Sequence, residues 1–66
     1  MADTEEFYVE VIADTDGAVL VSDGTGEYWL PRSQIEVENF DAYDICKGNS
    51  YTIHVPEWLA IEKGMI

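Results

Sequence analysis

Apolar and polar residues alternate along several short stretches of the chain, as they do in β-strands whose two faces meet different surroundings. In residues 7–13 this alternation puts Phe7, Val9 and Val11 on one face. Four further stretches have strand-like patterns: residues 18–22, 27–30, 34–38 and 50–55. The pattern therefore predicts five strands.

Turn-forming residues separate the first three stretches. Asp16 and Gly17 lie between two apolar runs, which is typical of a type I′ hairpin turn whose two central residues take a positive φ. A second turn cluster at residues 23–26 precedes the third stretch. Pro31 cannot donate a ladder hydrogen bond, so the third strand should stop, bulge or lie at a sheet edge there. The first three strands should form an antiparallel meander.

The fourth and fifth stretches each show an inward and an outward face. Ile35 and Val37 point to one side of the fourth stretch. Glu36 and Glu38 point to the other side, which predicts a half-buried strand with an acidic outer face. In the fifth stretch three residues should point inward: Tyr51, Ile53 and Val55.

Residues 39–48 allow two interpretations. Asn39 could cap a short helix that Gly48 ends. Alternatively, the segment is a loop whose Phe40 and Tyr43 fill the open end of the sheet. We favour the loop, or a single turn.

Residues 57–63 predict a short C-terminal helix, with Pro56 at its first position and Gly64 as its stop. Three of its side chains should face the core: Trp58, Leu59 and Ile61. The chain is thus predicted to be α+β, mainly β: a small antiparallel sheet or partly open barrel of about five strands with one short C-terminal helix. Residues 1–66 should form a single domain, with residues 1–6 as a flexible start.

Charge is the feature that most restricts function. Fourteen Asp and Glu residues against three Lys and Arg residues give a formal net charge of −11. Nucleic acids and anionic membranes are both bound through Lys and Arg, so we expect neither as a direct partner. Solubility alone needs a net charge of only about 2–8 in magnitude for a small domain. The excess points to a positively charged partner.

Catalytic and metal-binding motifs are fragmentary. Asp14-x-Asp16-Gly17 resembles part of a calcium loop, but the twelfth position, which should be Glu, is Thr25. His54 is the single histidine and should point outward from its strand, and no serine lies in a strained nucleophile elbow. We therefore expect no enzymatic activity, no metal site and no cofactor.

The single cysteine and the ends of the chain indicate the compartment. Cys46 has no second cysteine to pair with, so we expect an apolar or semi-exposed filler. No apolar run reaches the ~20 residues that span a bilayer, and the first residues lack the pattern of a signal peptide. The expected location is the cytoplasm.

The two tryptophans, Trp29 and Trp58, also allow two interpretations. Exposed, they could stack on the bases of single-stranded nucleic acid. Stacking does not offset fourteen carboxylates facing phosphates. We therefore expect both tryptophans in the core, where they would close a small barrel.

The carboxylates remain as candidates for function. Eight of them are predicted to form a partner-binding surface: Asp14, Asp16, Asp23, Glu27, Glu36, Glu38, Asp41 and Asp44. B-form DNA carries about one charge per 1.7 Å of axis, and a domain about 25 Å across with about a dozen surface carboxylates approaches that density. A groove built for phosphates would accept such a surface. The alternative is a generally acidic, solvated surface, as in a protein from a high-salt cytoplasm.

Two motifs carry a family resemblance: WLPRSQI at residues 29–35 and VPEWLA at residues 55–60. They resemble small domains of bacteriophages and mobile elements in which a Trp-Leu-Pro-Lys-Ser-Gln strand precedes a Pro-Glu-Trp-Leu-Ala helix. Arg32 stands where Lys is commoner. With its size and charge, the chain is similar to small acidic anti-CRISPR proteins, several of which imitate DNA and block a Cascade-type surveillance complex.

The resemblance implies a phage-encoded inhibitor of host defence that acts in the host bacterial cell. Its expected partner is a basic DNA-binding subunit of a type I CRISPR effector, and we expect it to act as a monomer. Two alternatives remain: a DNA mimic directed at a restriction enzyme or another DNA-binding protein, and a salt-adapted accessory domain with no such partner. The motifs themselves are expected to shape the fold and not to contact the target.

Overall fold

Five antiparallel strands and one C-terminal helix make up the fold, and the computed structural model describes residues 3–66 of the chain. The elements are β1 (Thr4–Asp14), β2 (Ala18–Ser22), β3 (Glu27–Pro31), β4 (Glu36–Val37), β5 (Ser50–Pro56) and α1 (Glu57–Lys63). Their order across the sheet is β3-β2-β1-β5-β4. The predicted α+β, mainly β class is confirmed, and the sheet is open, with β3 ending at Pro31 on one edge.

The central strand, β1, pairs with different neighbours along its length. Residues 4–10 form the ladder with β5 and residues 10–14 the ladder with β2, so Glu10 pairs on both sides. The register shifts between Val11 and Ala13. A bulge of this kind bends a strand and increases its twist, so β1 can serve two differently placed hairpins.

β1 begins three residues earlier than the pattern predicts. Thr4 and Glu6 lie opposite Pro56 and His54 of β5. The flexible start predicted for residues 1–6 therefore does not hold for residues 4–6, because β5 supplies backbone partners that the hydrophobic pattern cannot show. Residues 1 and 2 lie outside the described part of the chain.

One face of the sheet carries the core. Alternate side chains of β1, β2, β3 and β5 point into it, and α1 and the loop before β5 cover it. The buried apolar residues are Val9, Val11, Val19, Val21, Leu30, Ile35, Ile45, Tyr51, Ile53, Val55, Leu59 and Ala60. The inward positions predicted for β5 are confirmed.

The β1–β2 hairpin is confirmed, but its predicted turn type is wrong. Neither Asp16 nor Gly17 has a positive φ. The Thr15 backbone N–H donates to the Ala18 carbonyl at 2.8 Å, and the Thr15 hydroxyl accepts from the Ala18 N–H at 3.1 Å. Because the Thr15 side chain takes part in closing the turn, the left-handed conformations of a type I′ turn are not needed.

The segment around β4 is less regular than predicted. Residues 34–38 were expected to form a strand, yet Arg32–Gln34 forms a 3₁₀ turn and β4 is only two residues long. The loop interpretation of residues 39–48 is confirmed. Asn39 has a φ of 68°, which is left-handed and differs from the extended backbone of a helix N-cap.

The aromatic side chains expected in the core lie at the surface. Trp29 and Trp58 are 45% and 56% exposed, and Phe40 and Tyr43 are 56% and 60% exposed. Trp29 follows the outward register of β3, and Leu59 and Ala60 supply the buried face of α1. Ile45 enters the core from the loop in place of the aromatic rings.

The helix α1 is close to its predicted form. Pro56 lies at the N-cap, one residue before the predicted position, and Gly64 ends the helix with a φ of 81°. Ile61, expected to face inward, is 57% exposed. Within residues 3–66, no helix is long and apolar enough to span a bilayer.

Candidate functional site

The sheet face opposite the core carries a group of glutamates. Strand alternation directs Glu6 and Glu10 outward from β1, and Glu36 and Glu38 outward from β4 and the residue after it. We call these four residues the acidic sheet face. None of the four is buried.

The register of three adjacent strands fixes the positions of the acidic sheet face. His54 of β5 lies between Glu6 and Glu36. The Glu38 backbone N–H donates to the carbonyl of Thr52 at 3.0 Å, which continues the ladder by one residue. With strands about 4.8 Å apart and a rise of about 3.3 Å per residue, the four α-carbons occupy roughly 10 by 13 Å.

An exposed tyrosine lies within this patch. Tyr8 projects between Glu6 and Glu10 on β1 and is 72% exposed. Tyrosine is enriched at protein interfaces because it combines a large apolar ring with a hydroxyl. The acidic sheet face therefore offers both charge and contact area.

The eight carboxylates predicted as a partner-binding surface do not form one patch. Glu36 and Glu38 belong to the acidic sheet face. Glu27 shares the outward side of the sheet but lies on β3, with Ser22 between it and Glu10. Asp14 is the last residue of β1, and the other four aspartates lie in turns and in the loop: Asp16, Asp23, Asp41 and Asp44.

Three of these aspartates accept hydrogen bonds that hold the local backbone. Asp14 accepts from the Lys47 N–H at 2.9 Å, and Asp41 from the Tyr43 N–H at 2.8 Å. Asp23 accepts from the Thr25 N–H and hydroxyl, at 2.9 and 2.8 Å. The bonds from Thr25 hold the pKa of Asp23 below its usual value. These three residues contribute to loop structure as well as to surface charge.

The single arginine lies inside the molecule. Arg32 is 6% exposed, and its Nε donates to the Thr15 carbonyl at 3.0 Å. Its Nη1 donates to the carbonyls of Ala42 and Ile45, each at 2.9 Å. Arg32 thus ties the β1–β2 hairpin to the loop that covers the core.

This use of Arg32 leaves the surface more acidic than the net charge suggests. All fourteen carboxylates are exposed or half-buried, and the exposed cationic side chains are Lys47 and Lys63. Across residues 3–66, no Lys or Arg side chain forms an ion pair with a carboxylate; the one pair is His54 with Glu38, at 3.6 Å. The negative charge is therefore largely uncompensated.

An open groove of about 420 Å³ adjoins the acidic sheet face. Glu36 belongs both to the acidic sheet face and to the groove lining, and the loop contributes Phe40, Asp41 and Tyr43 to the groove. The Phe40 ring packs edge-on against Tyr51, with centroids 5.2 Å apart. The groove combines carboxylates with exposed aromatic rings.

The sequence did not identify two residues of the acidic sheet face, or the structural role of the buried Arg32. Glu6 and Glu10 were not among the eight predicted carboxylates, although the alternation of residues 7–13 already placed Glu10 outward. Arg32 stood out in the sequence as part of a motif, but its burial and its three acceptors could not be inferred, because these lie in the β1–β2 turn and in the loop before β5. The filler role predicted for Cys46 is wrong, because this free cysteine is exposed, and its Sγ accepts a hydrogen bond from the Asn49 side-chain amide at 3.4 Å.

Comparison of the chain with protein-family models, with curated proteins and with solved structures finds no match. The geometry and charge described above are therefore the basis for a functional proposal.

Proposed function

We propose that this chain is a non-enzymatic binding protein that places its acidic surface in the basic DNA-binding groove of another protein and thereby excludes DNA. The observation that carries this proposal is the acidic sheet face, where four outward glutamates lie on an open sheet without a Lys or Arg partner within residues 3–66. A protein that gained only solubility from its charge would have no need to concentrate like charges on neighbouring strands, where they repel.

The overall charge density supports imitation of a duplex. The longest extent of the molecule is 29 Å. B-form DNA of that length carries about 17 charges, at one per 1.7 Å of axis. The domain displays fourteen carboxylates over the same distance, and six of them lie on strands of the sheet. A channel that binds phosphates through Lys and Arg would be complementary to this surface.

Within this proposal, the target is the DNA channel of a type I CRISPR effector complex. The support for this choice is the resemblance of residues 29–35 and 55–60, with the size and charge of the chain, to small acidic anti-CRISPR proteins. Both motifs help to build the fold: Leu30 and Leu59 are buried, and Arg32 ties the loops together. The inhibitory contact would be made by the acidic surface.

Displacement of DNA tests the proposal. A fluorescent target duplex bound to a purified type I effector is titrated with this protein, and the bound fraction is followed by anisotropy. We expect DNA to be released, with an inhibition constant that weakens as salt rises, because screening reduces the attraction between opposite charges. Failure to displace DNA from effectors of several subtypes would exclude this target.

The two alternatives have distinct signatures in related measurements. A mimic directed at a restriction enzyme or another DNA-binding protein would displace DNA from that protein and leave the effector unaffected. A salt-adapted domain would unfold at physiological ionic strength and fold in molar salt, which circular dichroism across a salt series measures. We expect the domain to be folded at about 0.15 M salt, where the Debye length is about 8 Å.

A further inference from the structure

Three side chains from adjacent strands converge on the acidic sheet face. Glu6 on β1, His54 on β5 and Glu38 after β4 each bring one donor atom within 4.8 Å of the other two. Their backbones are held by direct pairing of Glu6 with His54 and by the hydrogen bond from Glu38 to Thr52. An imidazole nitrogen and two carboxylate oxygens thus face one point above the sheet.

The spacing of these donors suits a metal ion better than a hydrogen bond. The Nε2 atom of His54 is 3.6 Å from Oε2 of Glu38, beyond the range of an ordinary N–H···O bond. Zinc binds His nitrogen and carboxylate oxygen at about 2.0–2.2 Å in tetrahedral sites, which separates neighbouring donors by about 3.4 Å. The three donors lie within 4.8 Å of one another, so closing any pair to this distance needs a shift of at most about 1.4 Å, shared by exposed glutamate side chains.

Charge and donor type together favour zinc over calcium and magnesium. Glu36 also lies opposite His54 in the β4–β5 ladder, so three glutamates neighbour this histidine, and no Lys or Arg is paired to them in residues 3–66. A divalent cation would relieve this repulsion. Calcium and magnesium prefer oxygen donors alone, whereas an imidazole in the set suits zinc.

We propose that Glu6, Glu38 and His54 bind one zinc ion on the acidic sheet face, with the fourth coordination position open to water or to a ligand from a partner. This site is independent of the proposed DNA mimicry, since the donors and their geometry exist whether or not a basic protein binds.

Zinc titration of the purified chain tests the site. The protein carries Cys46→Ser, because the exposed thiol could bind zinc itself. Zinc chloride is titrated by calorimetry and by ¹H–¹⁵N NMR that records the His54 ring nitrogens. We expect one saturable site per chain, a shift of the Nε2 resonance, and no comparable shift with magnesium at the same concentration.

Matched variants separate a defined site from general attraction to an acidic protein. Loss of a residue that merely orients a zinc ligand costs about 10–100-fold in affinity, so His54→Gln, Glu38→Gln and Glu6→Gln should each weaken binding at least tenfold. Glu27→Gln removes the same charge from β3, outside the site, and should change affinity less than threefold. Glu6 is exposed, so its variant tests the site even if His54→Gln perturbs the fold.

Three results would overturn the zinc site. The first is the lack of saturable binding at micromolar zinc. The second is affinity that survives His54→Gln in a folded protein. The third is an equal loss in Glu27→Gln and Glu38→Gln, which would mean that zinc responds to net charge alone.

Discussion

At the scale of single residues, Arg32 holds two loops of the domain together from a buried position. A buried guanidinium is tolerated only when its N–H groups are paired, and here carbonyls of Thr15, Ala42 and Ile45 accept them. The planar fork reaches acceptors on two separate segments at once, which an ammonium on a flexible stem reproduces poorly. The loop that carries Ile45 into the core depends on this contact.

Replacing Arg32 should therefore destabilise the domain far more than replacing an exposed cation. Arg32→Met leaves three carbonyls without this donor, and hydrogen bonds to charged groups contribute about 1.5–3 kcal/mol each. Only the bond to Ile45 is fully buried, and the carbonyls of Thr15 and Ala42 can bond to water instead, so we expect a net loss of about 2–4 kcal/mol. Urea unfolding followed by tryptophan fluorescence measures it. Lys63→Met, at an exposed site, is the control and should change stability by less than about 0.5 kcal/mol. Equal stability of the two variants would refute the structural role of Arg32.

Asp23 gives a pH dependence whose sign follows from its hydrogen bonds. The Thr25 N–H and hydroxyl favour the ionised carboxylate and lower its pKa from the usual 3.8. Its stabilising contribution is therefore complete well above pH 3.8 and is lost as pH falls through the lower, folded-state pKa. Wild type should be more stable than Asp23→Ala at pH 6, and this difference should shrink at acid pH. A difference that grows on acidification would contradict this assignment.

At the scale of elements, adjacent residues of α1 show how the helix meets the sheet. Leu59 is 2% exposed, whereas Trp58 is 56% exposed. The larger side chain thus contributes less to the core than its neighbour. Burial decides the energetic weight of each residue, because the hydrophobic contribution follows the apolar area removed from water.

Alanine substitutions at these two positions should differ sharply. Leu59→Ala leaves a cavity and should cost about 2–5 kcal/mol in unfolding free energy. Trp58→Ala should cost about 1–2 kcal/mol, less than Leu59→Ala, since more than half of Trp58 is exposed to water. Thermal unfolding monitored by circular dichroism compares the two. A larger loss in Trp58→Ala would restore the interpretation of Trp58 as a core residue.

The same elements show what the sequence could and could not predict. Period-two alternation located the five strands, although β4 is much shorter than predicted, and it gave the inward face of β5 and the outward direction of Glu36 and Glu38. Turn-residue preferences failed where a side chain bonds to the backbone. The Thr15 hydroxyl helps to close the β1–β2 turn, which the Asp16-Gly17 pair was expected to form with positive φ angles. The size and hydrophobicity of Trp29 and Trp58 led to the wrong prediction that they are core residues. Each lies on the exposed side of its own element, β3 or α1.

The candidate site was only partly visible in the sequence. Strand register across β1, β5 and β4 brings Glu6 and Glu10 beside Glu36 and Glu38, and that pairing depends on strand order. The sequence predicted a meander for the first three strands but did not indicate which strand pairs with β5. Without this neighbour relation, the convergence of Glu6, Glu38 and His54 could not be inferred.

At the scale of the whole molecule, uncompensated negative charge opposes folding. Fourteen carboxylates repel across a domain only 29 Å long, and Arg32 offsets none of this at the surface. Salt screens such repulsion, with a Debye length of about 10 Å at 0.1 M and about 3 Å at 1 M.

Stability should accordingly rise with salt while target binding weakens. We expect the melting temperature to increase steadily between 0.05 and 1 M sodium chloride, because the Debye length shortens and the carboxylates repel one another less. Differential scanning calorimetry on the chain alone measures this. A melting temperature that falls over the same range would show that repulsion among the carboxylates is not a significant cost.

The most direct test of the binding surface compares two double variants with the same net charge. Glu36→Gln/Glu38→Gln alters the acidic sheet face, and Glu57→Gln/Glu62→Gln alters α1, which covers the opposite face. Each is measured by the displacement of duplex DNA from the target protein. We predict that the first variant needs at least about tenfold more protein for half-displacement, a loss of about 1.4 kcal/mol, and that the second stays within threefold of wild type. Equal losses in the two variants would contradict a defined acidic contact face.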